Sequence, residues 1–156
     1  MAKIRKSVIA GTWYPGTKGE LKNTLKEYFS NVDLPLVDKD LIGLICPHAG
    51  YPFSGQTAAY GYSLLTDNQY DLVVVLSPMH RMALGTYLTT AADYYETPLG
   101  KVQVDQALLE TLSTKIDLKF LENESEHSLE IQLPFLQYML KQFTLLPIMT
   151  SIIDIF

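Results

Sequence analysis

The sequence predicts an α/β protein, a layered fold in which a central, mostly parallel or mixed sheet is flanked by helices. Three observations predict it. Two short apolar runs, Leu41-Ile42-Gly43-Leu44-Ile45-Cys46 and Leu72-Val73-Val74-Val75-Leu76, each stop close to a proline and lack the alternation of a half-exposed strand. Between them, the small-residue stretch 54–65 reads as a helix. Strand, loop, helix and strand in that order make a βαβ unit, which favours a parallel pair in a layered architecture.

The elements follow along the chain. Tyr14-Pro15-Gly16 signals a turn, after which Thr17 and Glu20 have capping-box spacing, the hydroxyl taking the Glu20 amide while the carboxylate reaches back. Leu21, Leu25, Tyr28 and Phe29 then recur at helical spacing. The run 41–46 reads as a buried strand, Ser54 as the cap of the helix that follows, and 72–76 as a second strand covered on both faces. A further strand is predicted over 84–90. Thr97-Pro98-Leu99-Gly100 is a turn into a short strand at 101–104, and Asp105 can cap a helix over 106–114. Residues 128–142 are helical in pattern, with Leu129, Leu133, Leu136 and Leu140 on one stripe. Pro134 within them predicts a kink, or a helix that starts just before it. Leu145-Leu146-Pro147-Ile148-Met149 can form a last strand, with nothing after it to pack alongside.

Composition narrows the class. At 156 residues the chain has one domain's length, and 47% hydrophobic against 19% charged residues is enough to bury a core, which argues against disorder. Net charge is −5, the basic residues cluster only at Lys3, Arg5 and Lys6, and no basic stripe is read along a helix. Nucleic acid, bound by neutralising phosphates, is therefore not an expected partner. The single cysteine, Cys46, allows no intramolecular disulfide and fits a reducing compartment. Val8-Ile9-Ala10 is too short for a signal-peptide core, and no stretch approaches a membrane span. A cytoplasmic location off the membrane is the expectation.

The three histidines carry the chemistry. His48 follows the first apolar run by one proline, and His80 stands in Ser77-Pro78-Met79-His80, just past the second. Ligands in open α/β sheets gather beyond the carboxyl ends of strands, so both imidazoles can enter one crevice. His127, where a loop becomes a helix, can supply a third nitrogen for iron, zinc or copper, with nearby carboxylates filling or orienting the shell. Spacing alone leaves structural and surface roles open for each ring. Cys46, two residues before His48, reads first as a small core residue, and Ser54 at a helix start reads first as a plain cap with anion binding as the alternative. Trp13, Tyr14, Tyr51 and Phe53 form an aromatic set that lines a pocket or simply packs. No nucleophile elbow or phosphate loop is present.

Several blocks occur together in order: Ala10-Gly11-Thr12-Trp13-Tyr14-Pro15-Gly16, Pro47-His48-Ala49-Gly50-Tyr51, Phe53-Ser54-Gly55, Ser77-Pro78-Met79-His80, Thr97-Pro98-Leu99-Gly100, Glu126-His127-Ser128-Leu129-Glu130 and Gln132-Leu133-Pro134-Phe135-Leu136. In this the chain resembles the Memo family, the middle component named in AmmeMemoRadiSam systems. The resemblance implies a fold similar to the class III extradiol dioxygenases. It implies a divalent metal, Fe(II) first and copper or zinc as alternatives, at positions matching His48, His80 and His127, with an acidic residue just before the last. Glu124 is the matching acid and Glu126 lies close. Catalytic roles fall to His127, as third ligand or acid–base group, and to Glu124. Trp13, Tyr14, Tyr51, Ser54 and Glu126 are the implied pocket.

Family members are longer and draw a further cysteine ligand from their C-terminal part, a position Cys46 does not occupy. The chain accordingly reads as an incomplete Memo-like domain over 1–150 with a divergent tail at 151–156: a fragment, a frameshifted product or half of a split gene. Two functions are expected. One is a metal-dependent, dioxygenase-like oxidoreductase acting on a small molecule. The other is a non-catalytic module that binds a peptide or protein in the same cleft, as the link of animal members to phosphotyrosine peptides implies. A functional connection to AMMECR-type and radical SAM proteins follows from the same resemblance.

Overall fold

The computed structural model describes residues 2–33, 41–65, 70–81, 85–140 and 142–151. A seven-stranded mixed sheet forms its centre. The pivot is the last strand, Thr144–Thr150, which with six strands before it in the chain is β7. It pairs in parallel along its whole length with β2 (Leu72–Pro78), in parallel at its start with β5 (Gly100–Val104), and antiparallel at its end with β3 (Tyr87–Thr90). β3 also pairs in parallel with β6 (Leu118–Leu121). β5 turns back on β4 (Tyr94–Thr97), and β4 carries β1 (Ile4–Arg5) in parallel. The segment expected to lack neighbours is thus the middle of the sheet. Leu145, Leu146 and Met149 are buried there against partners that all precede them in the chain.

The 41–46 run is a correction. It forms no strand, so the expected parallel pair with β2 is not made; the parallel partner of β2 is β7. A strand needs a ladder partner, and among the described residues β2 has only β7. Ile42 and Ile45 are instead fully exposed, and the run lies along β2, lining a groove with it. β2 itself is not covered on both faces, since Leu72, Val74 and Leu76 face outward. Residue 84 of the predicted 84–90 strand lies outside the described residues, and the strand begins at Tyr87.

Local chemistry accounts for most of the rest. α1 (Lys18–Ser30) starts at Thr17, whose hydroxyl accepts the Glu20 amide and donates to the Glu20 carboxylate. α2 (Tyr51–Ser63) begins three residues earlier than expected: Gly50 is its cap and Pro52 sits in its first turn. Ser54 lies inside it, its hydroxyl donating back to the Ala49 carbonyl. Gly55 faces the Tyr28 ring so closely that a Cβ would overlap it, which lets α1 and α2 touch. The Pro98-Leu99 turn joins β4 to β5, with Gly100 at φ +134°, a conformation L side chains rarely adopt. Asp105 caps α3 (Gln106–Ser113) by accepting the Leu108 amide.

The 128–142 helix is two helices. α4 (His127–Glu130) ends at Ile131-Gln132, and α5 (Leu133–Met139) restarts with Pro134 in its first turn, where a missing amide costs nothing. α1, α2 and α5 pack together, α4 lies on β2, and α3 rests on β6 and β7. Lys18, Lys22 and Lys26 rise along one side of α1 and line a groove with Lys101, a basic stripe where none was read from the sequence.

Candidate metal centre

The loop after β2 carries His80, and the start of α4 carries His127. Their rings stack with centroids 4.6 Å apart, and the His48 ring lies 5.2 Å from that of His80. Glu126, fully buried, ties the pair together. Its Oε1 accepts from the backbone N–H groups of His127 and Ser128, both at 2.9 Å, and lies 2.9 Å from His80 Nδ1 and 3.1 Å from His127 Nδ1. Its Oε2 accepts the His80 amide at 2.8 Å. One carboxylate therefore caps a helix, bonds the His80 ring and lies against the His127 ring. His80, Glu126 and His127 form a group able to hold a metal ion, the only such group found among the described residues.

Electrostatics suit that arrangement. Burial works to raise the Glu126 pKa, but hydrogen bonds from the Ser128 amide and from the ring and amide of His80, with the charge of His127, bring it down to about 2. Burial and the neighbouring His80 lower the His48 pKa against the pull of Glu126. Burial lowers that of His127 too, helped by His80, His48 and Arg81 and opposed by Glu126. Both rings are thus favoured in the neutral form that a metal requires.

The rings open into a cavity of about 770 Å³ whose other walls include Trp13, Pro47, Pro52 and Phe53. The 10–16 loop brings Trp13 there: Gly11, at φ +80°, donates to the Tyr14 carbonyl, and the Trp13 carbonyl accepts the Tyr51 amide at 2.8 Å. The indole packs on the His127 ring at 4.5 Å.

This chain belongs to the Memo-like family. The family model for Memo-like proteins matches residues 5–155. A MEMO1 family protein of Methanosarcina barkeri is 37% identical over 153 residues, covering 97% of this chain and 56% of its own length. One from Nitrosopumilus maritimus is 36% identical over 154 residues, 93% of this chain and 56% of its own. The memo-1 homologue of Caenorhabditis elegans is 33% identical over 147 residues, 91% of this chain and 41% of its own. The Memo-like chain thus spans about half the length of the curated relatives it matches.

The remaining sequence-derived positions divide cleanly. Glu124 does not face the rings. It is buried two residues away, accepting from Arg5, from the Tyr95 hydroxyl at 2.8 Å and from the Glu126 amide. The acid at the rings is Glu126. Of the implied pocket residues, Trp13 lines the cavity, whereas Tyr14, Tyr51 and Ser54 do not. Tyr14 donates to Glu130 at 2.7 Å, and Tyr51 lies in the core between Tyr14, Tyr28 and Phe135. Cys46 is half-buried and packs by Gly61 and Tyr62 against the core.

The N-terminal basic cluster is also not a free patch, since Lys3 pairs with Glu122, Lys6 with Glu96 and Arg5 with Glu124 and Glu130. The set of buried Arg5, Tyr14 and Glu130 with half-buried Ser7 was not legible as a unit. A lone arginine in an N-terminal basic triplet carries no local sign of burial. Among the described residues no helix is long and apolar enough to cross a membrane.

Proposed function

We propose that this Memo-like chain is a metal-binding protein whose centre is formed by His48, His80 and His127. The observation that carries this reading is Glu126. Its Oε1 faces two amides and two ring nitrogens, which orients His80 and His127 and leaves the Nε2 of each ring uncommitted to it. Imidazoles at His48 and His127 whose pKa values burial lowers, with His80 bonded to the Glu126 carboxylate between them, fit an ion of the Fe(II), copper or zinc kind. Fe(II) is proposed first. When bound, the ion supplies Lewis acidity and, for iron or copper, redox capacity.

The chain's own residues do the rest. Glu126 bonds the His80 ring and lies against that of His127, Trp13 buttresses His127, and Pro47, Pro52 and Phe53 wall the cavity beside the rings. The reaction class proposed is a dioxygenase-like oxidation of a small molecule, from the family resemblance and the room beside the rings. The test is metal analysis and reloading of protein purified without oxygen. About one equivalent is expected in the wild type, falling to roughly a tenth or less in His80→Ala and His127→Ala, because each loses a ligand. A folded wild type that takes up no ion on reloading overturns the reading.

A second reading is supported by Phe53, 88% exposed at the cavity rim beside the rings. In it the same cleft grips a peptide or protein, and any ion is incidental. Paired His48→Ala and His80→Ala changes that abolish metal uptake yet leave partner binding intact favour this alternative. The link to AMMECR-type and radical SAM proteins belongs to the same proposal.

A further inference from the structure

We infer that Arg5, acting through Glu124 and Tyr95, is a positioning residue for the histidine centre: the N-terminal strand, and not α4 itself, sets where Glu126 and His127 stand. α4 is four residues long and is closed by the Ile131 amide donating to the His127 carbonyl at 3.0 Å. So short a helix does not form on its own, because nucleation fixes several dihedrals for one hydrogen bond. The placement of its first residues must come from tertiary contacts; the Ser128 hydroxyl donates to the Pro78 carbonyl and the His80 amide to Glu126, and Arg5 supplies the contacts that hold the Glu126 backbone.

Its guanidinium donates to the Glu126 carbonyl at 2.7 Å and, through Nε, to Glu124 Oε2 at 3.0 Å, while Glu124 Oε1 accepts the Glu126 amide. Both sides of the Glu126 backbone are thus held by one buried pair. The same guanidinium binds Glu130 at the other end of α4, where Ser7, Tyr14 and the Val8 and Ile9 amides complete the carboxylate's partners. Tyr95, itself buried, adds a hydroxyl to Glu124 and places its ring under the Arg5 carbon at 5.2 Å. Arg5, Glu124 and Glu130 are all almost fully buried, so the clamp is shielded from the solvent screening that weakens surface pairs. A planar fork with five donors can hold two carboxylates and a carbonyl together; a lysine cannot.

This inference rests on the metal-centre reading only for its metal arm, and the experiment separates the two. Three variants are compared with wild type: Arg5→Lys, the milder Tyr95→Phe, and Leu109→Ala as a folded control destabilised in α3. Co(II) titration gives affinity and, from the d–d bands, ligand geometry. In metal-free protein, long-range imidazole ¹⁵N spectra read the Nδ1 hydrogen bond of His80 and the surroundings of His127 Nδ1, 3.1 Å from the same carboxylate oxygen.

Expected is a Co(II) affinity roughly 10–100-fold weaker in Arg5→Lys and less so in Tyr95→Phe, as for other groups that orient metal ligands. Both should shift the band pattern and the Nδ1 resonances, and Leu109→Ala should move neither. If Arg5→Lys does not fold, Tyr95→Phe carries the comparison. Unchanged Nδ1 resonances in folded Arg5→Lys or Tyr95→Phe, or equal shifts in Leu109→Ala, overturn the positioning role. Absence of Co(II) binding by wild type, with the Nδ1 shifts present, sinks the metal reading and leaves the positioning role standing.

Discussion

At the residue scale the centre depends on which carboxylate meets the rings. Glu126 does so because its N-cap position aims the side chain at the α4 amides, and both ring nitrogens lie within reach of the same oxygen. Glu126→Gln keeps the shape and one acceptor oxygen but removes the charge. It should weaken metal binding about 10–100-fold, measured by competition with a chromophoric chelator. A change below twofold would show that the orienting role is slight.

Glu130 makes a separate prediction. Burial works to raise its pKa, but Arg5, Ser7 and the Val8 amide hold it below the ordinary 4.5. In acid the unfolded chain takes up a proton that the folded chain refuses, so stability falls as pH drops. The contribution is complete above about pH 4.5 and is lost as pH falls through the folded value. Glu130→Gln should lower stability at neutral pH by about 1–3 kcal/mol and flatten the acid limb of a denaturation-against-pH curve. An acid limb as steep as that of wild type would show that other groups produce it.

At the element scale, short pieces are held by caps and contacts more than by length. Leu129 in α4 is fully buried, and Leu129→Ala should cost about 2–5 kcal/mol in urea unfolding through the cavity it leaves. Thr17→Ala removes an exposed cap and should cost about 0.5–2 kcal/mol, without effect on metal uptake. The caps at Thr17 and Asp105 and the Pro98-Leu99 turn were legible because each is decided within a few residues. The 41–46 run misled for the opposite reason. Its apolar, β-branched composition suits a strand, but pairing is a property of two segments, and β2 is joined to β7 instead.

At the scale of the whole molecule, β2 lies at the sheet margin with Val74 and Leu76 exposed, beside the exposed Ile42 and Ile45. Strand margins of this kind invite pairing with other chains unless charge or cover prevents it. Leu76→Lys should therefore reduce concentration-dependent association in light scattering while leaving the folded state intact. Equal association in both proteins would place the sticky surface elsewhere.

The sequence by itself determined the family and the α/β class, because ordered blocks and apolar runs are local patterns. It also singled out three histidines, two of them just beyond runs of strand character. Tertiary structure alone decided that β7 is central, that Glu126 and not Glu124 faces the rings, and that Arg5 is a buried clamp. Each of those depends on segments far apart in the chain meeting at hydrogen-bond distance, Arg5 with Glu124 being 119 residues apart. No local period encodes such a meeting; it is fixed only when the sheet closes and excludes water from the charges it brings together.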